Sequence, residues 1–424
     1  MVTLPMLLVL VLAGVLMNLA DNVAVSRSNK ARNTQPQVTP AQRAQFVADN
    51  TAFALALYRQ LRPAERNLVF SPYSISTALA MTYAGARGET EQQMARTLHF
   101  SLPQAQLHPA FNALDLSLSA TAKDAKGQPL SDFQLTIANA LWGQQGYQFQ
   151  PQFLDLLAQN YGAGMNLVDY TKQTEAARKA INTWVSDKTQ GKIVDLLQPG
   201  LLDRDSRLVL TNAIYFKNKW RAPFEKHNSK PDSFTLLDGT RAKVQMMSQQ
   251  GRFNYFQGAG FQALELPYRA GDCAMLILLP ESGRFADFEK SLTAAQLNAI
   301  TRQLTDASVA VDLPKYKFEA PIDLTETLQQ LGMTTAFSSS ADFSGMTGSR
   351  ELYISAVIHK AMVAVDEEGT EAAAATAVVM RALMAPATGP RPISFRADRP
   401  FFFLIRDTKT GALLFLGRVL NPAT

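Results

Sequence analysis

The chain has 424 residues, of which 47% are hydrophobic, 18% charged and 9% aromatic, a balance that can build a substantial core and excludes global disorder. The formal charge of +5 comes from scattered Lys and Arg, with no dense basic stripe of interleaved aromatics, so nucleic acid is excluded as an expected partner. One cysteine, Cys273, excludes a disulfide framework within the chain, and its setting, "GDCAMLILLP", reads as a buried strand in which it is a small core residue.

The first twenty residues, "MVTLPMLLVLVLAGVLMNLA", have the apolar length of an export signal or an N-terminal membrane anchor. Arg27, Lys30 and Arg32 follow this run and no Lys or Arg precedes it, the reverse of the usual charge bias. Export implies a secreted, periplasmic or extracellular protein, with membrane contact only through residues 1–20 if they stay attached. The polar stretch 21–42 reads as an unstructured spacer, and 43–424 as one large domain, since no Gly/Ser- or Pro-rich linker interrupts it.

Within that domain, Phe46, Phe53, Leu57 and Leu61 stand at helical spacing and predict a first helix over 41–61. A short strand follows, then a Ser-Pro helix start at Ser71 and Pro72, a mostly apolar helix, a glycine stop and an amphipathic helix from Glu89. "FQLTIANALWG" and "LVLTNAIYFKNKW" read as long strands, with a helix in "EAARKAINTWVSDKTQGKIVDLL" between them. The second half is strand-rich: "FQALELPY", "CAMLILLP", "SVAVDLPKYKFEA", "ISAVIHKAMVAVDEEGT", "PFFFLIRD" and "LLFLGRVLN", broken by the helical "LTAAQLNAI" and "LTETLQQLGM". The pattern predicts an α+β fold with mainly antiparallel sheets.

Catalytic signatures are missing. The four histidines, His99, His108, His227 and His359, form no His-Glu-x-x-His pair and no Cys/His spacing suits zinc, so no metal and no cofactor is expected. There is no Gly-x-Ser-x-Gly elbow, and "GAGFQA" leads into a strand where a dinucleotide fingerprint would open a helix. His359, inside "SAVIHKAMVAV", reads as a hydrogen-bonded core histidine.

Five segments, "NLVFSPYSISTALAMTYAGARGET", "LTNAIYFKNKW", "VIHKAMVAVDEEGTEAAAATA", "FRADRPFFFLI" and "LFLGRVLNP", together resemble the serpin family of protease inhibitors, in family order and over about residues 43–424. The resemblance implies three β-sheets, eight to nine helices, an exposed reactive-centre loop over about 367–392, and no catalytic residue in this chain. It also implies roles. Ser71, Ser74, Asn212 and His359 resemble the polar cluster under the middle of the large sheet, Trp220 the aromatic at the top of its opening, and Glu367 with Lys315 a hinge salt bridge. In inhibitory members the hinge glycine stands fourteen positions before the residue that enters the protease's specificity pocket. Counted from Gly369, the bond cut is Leu383–Met384, with Arg381 or Met384 as alternative pocket residues. The implied partner is a serine protease held covalently, chymotrypsin-, elastase- or subtilisin-like for a Leu. A non-inhibitory chaperone, carrier or storage role is the alternative.

The hinge and loop, "EEGTEAAAATAVVM" from Glu367 to Met380, have a physical logic of their own. If residues 370–382 joined a sheet, alternate side chains would face opposite sides. Even positions, Thr370, Ala372, Ala374, Thr376, Val378, Met380 and Ala382, are all small or apolar, whereas the charges of Glu371 and Arg381 fall on odd ones, beside Ala373 and Ala375. No proline occurs from Glu367 and Glu368 through residue 385, so every backbone N–H can enter a ladder. Such a segment suits a central strand held in reserve, in a monomer that forms loop-sheet polymers when warmed.

Overall fold

The computed structural model describes residues 15–18, 23–63, 65–121, 133–270, 272–370 and 391–423. The first half contains β1 (Val15–Asn18), β2 (Val23–Ser26), α1 (Pro40–Leu61), β3 (Leu68–Phe70), α2 (Pro72–Tyr83), α3 (Gly88–Thr97), α4 (Gln104–Thr121), β4 (Phe133–Gln144), α5 (Pro151–Tyr161), β5 (Met165–Val168) and α6 (Tyr170–Lys188). Next come β6 (Leu208–Lys219), β7 (Lys230–Thr235), β8 (Arg241–Gly258), β9 (Phe261–Pro267), β10 (Cys273–Pro280), α7 (Phe285–Ser291), α8 (Ala294–Gln303), β11 (Thr305–Pro314) and β12 (Tyr316–Asp323). The chain closes with α9 (Thr325–Gln330), α10 (Ser344–Thr347), β13 (Ile354–Val365), β14 (Gly369–Thr370), β15 (Ile393–Arg396), β16 (Phe401–Asp407) and β17 (Leu413–Val419).

Helix starts follow local chemistry. Thr39 caps α1 by accepting from the Gln42 N–H, the Gln42 side chain accepts from the Thr39 N–H, and Pro40 takes the first helical position, where a missing N–H costs nothing. Ser71 caps α2 by accepting from the Ser74 N–H at 3.1 Å, again with proline next. All of α2 except Thr77 is buried, as its apolar composition requires.

The large sheet has eight strands in the order β1-β2-β5-β4-β6-β14-β13-β12. Strand β14 lies between β6 and β13 only at one end; below it, β6 and β13 pair directly and in parallel, from Ile354↔Leu208 to Met362↔Tyr215. One face of this sheet packs under α6 through Trp142, Val209, Ala213, Ile181 and Val185. The other face meets α2 and the main core. Even-numbered residues of β6, such as Leu210 and Ile214, point to that core, and odd-numbered ones such as Val209 point to α6.

The second network, β15-β11-β8-β9-β10-β16-β17-β3 with β7 on β8, bends along the long strand β8. β7 pairs with its first part (Arg241 to Met246), β11 with its middle (Met246 to Tyr255) and β9 with its end (Asn254 to Gly258), so division along β8 yields two smaller sheets beside the large one. Among the described residues the fold is thus α+β, with three sheets when the second network is divided at β8, eight helices of seven residues or more, and the two short turns α9 and α10. Two details differ from the sequence reading. "SVAVDLPKYKFEA" is not one strand: β11 and β12 belong to different sheets and meet at Lys315. The expected spacer 21–42 carries β2, which pairs with β5 in the register Ala24↔Leu167, Val25↔Asn166 and Ser26↔Met165, and α1 already starts at Pro40. A four-residue strand whose partner lies some 140 positions away leaves no periodicity to read. No described helix is long and apolar enough to cross a membrane.

The contact of β17 with its neighbours sets a sharp steric test. A Cβ on Gly417 would come within 2.4 Å of the Phe403 ring and 2.5 Å of the Leu68 carbonyl oxygen. Gly417→Ala should therefore cost about 1–3 kcal/mol, read as a drop in Tm by calorimetry; an unchanged Tm would contradict the packing.

Candidate functional site

Four residues singled out in the sequence converge under the middle of the large sheet. Strand register sets Asn139 of β4, Asn212 of β6 and His359 of β13 side by side across three adjacent strands. Directly beneath lies the start of α2, and Ser71, Ser74, Asn212 and His359 are all fully buried. Their hydrogen bonds close on one another. The Ser71 N–H donates to His359 Nε2 at 3.1 Å, so His359 Nδ1 carries the proton and donates it to the Asn212 side-chain oxygen. The Asn212 amide donates to Ser74 Oγ at 2.7 Å and to Asn139 Oδ1, which also accepts from Ser74 Oγ at 2.9 Å. Asn139 Nδ2 completes the circuit on the Ser74 carbonyl at 3.0 Å. No buried side-chain donor or acceptor among the described residues lacks a partner. Burial, opposed by the Asn212 contact, drives the His359 imidazole down to about 3, so it is neutral in the native protein.

This cluster straddles the β6–β13 seam. The seam already holds an entrant at its upper end. After β13 the chain turns at Asp366, whose carboxylate accepts from the N–H groups of Glu368 (2.9 Å) and Gly369 (3.2 Å). Gly369 and Thr370 then pair with Lys219 and Asn218 of β6, and Thr370 with Val365 of β13. Gly369 has to be glycine, because a Cβ there would fall 2.1 Å from the Asn218 carbonyl oxygen. Thr370 is buried and its hydroxyl meets the Tyr268 hydroxyl at 2.6 Å, on the core side of the sheet.

Trp220 holds the outer side of the turn. Its ring stacks on Tyr268 at 4.7 Å, its indole N–H donates to the Asp366 carbonyl at 3.0 Å, and its backbone N–H donates to the Glu368 carbonyl at 2.8 Å. Glu367, itself buried, pairs with Lys315 at 2.9 Å and accepts from Ser229 Oγ at 2.7 Å. Burial alone would raise its carboxyl, but these two donors outweigh it and hold the group below the usual carboxylate range. Glu368 faces Lys226 at 3.2 Å. Glu371, Ala372, Ala373, Ala374, Ala375, Thr376, Arg381, Leu383 and Met384 lie outside the described residues.

Asn139, Tyr268 and Lys360 were not read from the sequence. Asn139 is an amide amid apolar strand residues, as is Asn212, which the family resemblance singled out. Lys360, nearly buried on the α6 face of β13, donates to the Val194 carbonyl at 3.2 Å and pairs with Glu319 at 3.0 Å. It ties β13 to the segment after α6. A lysine in "VIHKAMVAV" was its only sequence mark.

A family model described as "Serpin (serine protease inhibitor)" matches residues 48–422. The leukocyte elastase inhibitor of Sus scrofa is 40% identical over 390 residues, covering 89% of this chain and 100% of that protein. The Homo sapiens leukocyte elastase inhibitor is 39% identical over 392 residues with the same coverage, and a serpin-like protein of Thermococcus kodakarensis is 40% identical over 371 residues, 88% of this chain and 84% of its own. Among solved structures, human thyroxine-binding globulin complexed with thyroxine superimposes with a TM-score of 0.79 at 31% identity, covering 90% of this chain and 99% of that one. Uncleaved ovalbumin gives 0.78 at 29% identity, covering 89% and 100%.

The neutral, buried His359 makes stability depend on pH. In the unfolded chain an imidazole takes a proton below about pH 6.5, whereas in the folded protein it resists down to about 3. Its contribution is complete above pH 6.5 and drains away as pH falls through that window, by up to about 1.4 kcal/mol per pH unit. Urea unfolding of wild type and His359→Asn at pH 7 and pH 5 should show a smaller pH loss in the variant; equal losses would contradict a neutral His359.

Proposed function

The chain belongs to the serpin family, and from that premise we propose that it inhibits a serine endopeptidase as a suicide substrate, trapping the enzyme after its reactive loop is cut. The supporting observation is the seat of the hinge: Gly369 and Thr370 already form a two-residue strand between β6 and β13, with Thr370 turned inward onto Tyr268. Continuing that strand downward sends every even position inward, so Ala372, Ala374, Thr376, Val378 and Met380 enter the core face without a charge. Glu371 and Arg381 fall on the α6 side.

The chemistry belongs to the protease. Its serine oxygen attacks the carbonyl carbon of Leu383, the bond to Met384 breaks, the new amine leaves with a proton, and Leu383 stays attached as an ester. The freed segment then zips into the seam, separating His359 from Asn212. Fourteen positions from Gly369 to Leu383, at roughly 3.3 Å each, carry the ester about 46 Å, comparable to a small protease's diameter. Because a misplacement of about 1 Å already cripples a catalytic constellation, the ester is dragged beyond hydrolysis. Leu383 suits an apolar specificity pocket, of chymotrypsin, elastase or subtilisin type; Arg381 would suit a trypsin-like enzyme. The named elastase inhibitors among the relatives agree with the apolar choice.

A carrier or storage role is the second reading, favoured by the likeness to thyroxine-binding globulin and ovalbumin. Against it stand the small, uncharged and proline-free residues after Gly369, which obstruct nothing. Residues 1–20 have the apolar length of an export signal, which would place the inhibitor outside the cytoplasm, although Val15–Asn18 within them pair with β2 as the edge strand of the large sheet.

Thr370→Arg forces a charge against Tyr268, so it should turn inhibitor into substrate, with the fraction of protease captured falling about tenfold. An SDS gel after incubation with an elastase- or chymotrypsin-like protease reads this; undiminished SDS-stable complex would overturn the mechanism. Cutting the loop at Leu383 should raise Tm, as the seam fills with a full ladder and stored strain is released. A lowered or unchanged Tm would favour the carrier reading.

A further inference from the structure

Residues 23–33 lie before the family match, which begins at residue 48, and they are built onto the fold in detail. β2 lengthens the large sheet beyond β5, with Ala24 buried at 4% exposure. The chain then crosses the α5–β5 turn. Gly164 has to be glycine there, since a Cβ would lie 2.5 Å from Arg27 Cγ and 2.8 Å from the Ser26 carbonyl oxygen. Beyond it the Asn33 N–H donates to the Gln159 carbonyl at 2.9 Å. Arg32 reaches α4, donating through Nε to Asn112 Oδ1 at 2.9 Å and through its terminal nitrogen to Asp115 at 2.6 Å. Asn112, fully buried, answers by donating to the Asn33 carbonyl at 2.7 Å.

The two ends of this segment are anchored on different bodies, which part if the seam opens by displacement of β6. Opening the seam displaces β6, and β6 carries β4, β5 and β2 with it through continuous ladders. α4 is fastened to α1 by the Phe46–Phe111 ring contact at 4.6 Å, and Asp115 also stands 3.4 Å from the Tyr73 hydroxyl of α2. We propose that residues 23–33 are a strap that ties the moving half of the large sheet to helix α4, with Arg32 as its clasp, and so sets the rate at which the seam opens. Charge-assisted bonds of this kind, half-shielded from water, are strong enough to delay opening and weak enough to yield once the loop is cut. The strap rests on the insertion mechanism proposed above.

The test uses the uncleaved full-length chain, warmed mildly, with conversion to urea-resistant inserted or polymeric forms followed on urea gels. Arg32→Ala should convert about tenfold faster than wild type, and Asp115→Asn should do so by a smaller factor. Lys30→Ala, which removes only the exposed pair with Asp155, should convert at the wild-type rate. If wild-type protein cut in the loop gains stability but Arg32→Ala and Asp115→Asn both convert at the wild-type rate, the strap is overturned and insertion stands. If the cut wild-type protein gains no stability, insertion has failed and the strap falls with it. Should Arg32→Ala not fold, Asp115→Asn alone decides, since it keeps the side-chain shape and removes only the charge.

Discussion

The structure turns on the parallel pairing of β6 with β13. These strands, Leu208–Lys219 and Ile354–Val365, are far apart in the chain, run side by side from Leu208 to Tyr215, and yet part at the top to admit Gly369 and Thr370. A β-sheet gains a ladder on both sides of any strand it accepts in its middle, so a seam with a compatible strand tethered at its mouth is a store of unused stabilisation. The fold spends its polar chemistry on keeping that seam shut. Asn139, Asn212 and His359 span three strands and are held from below by the first turn of α2, whose orphan N–H groups are satisfied by Ser71 and by His359 itself.

Closing and opening are therefore governed by different groups. The cluster under the sheet is buried and fully hydrogen-bonded, which makes it costly to break one bond at a time. At the mouth, Trp220, Tyr268 and the Lys315–Glu367 pair hold the hinge in register without filling the seam below it. On the α6 face, Lys360 bridges to Val194, and at the far edge Arg32 bridges to α4. Lys360 sits on β13 and Arg32 follows β2, on opposite sides of the seam. On the insertion mechanism proposed above, they hold the fold short of its most extensively paired arrangement.

Much of this was legible in the sequence, for reasons that can be stated residue by residue. Ser71 with Pro72 is a local pattern that maps onto a cap, and Gly369 onto a close approach, whereas of the even–odd parity of the loop only Thr370, on the core side, lies within the described residues. Features made by distant pairing left no such mark. Asn139 matters because register sets it beside Asn212, and Tyr268 because Trp220 stacks on it. The corner at Lys315 divides one apolar run between two sheets, which alternation alone does not reveal. β2 looked like spacer because four residues carry no period, and its meaning lies in Gly164 and Asn166 of a strand far along the chain.

The central claim is that the segment after Thr370 becomes a strand inside the β6–β13 seam. Hydrogen exchange at residue resolution, on the intact chain and on the chain cut at Leu383, tests it most directly. The expected result is a gain of about a hundredfold or more in protection for the amides of 371–380 after cutting, with β6 and β13 remaining protected on both sides. Unchanged exchange in 371–380 would contradict the claim.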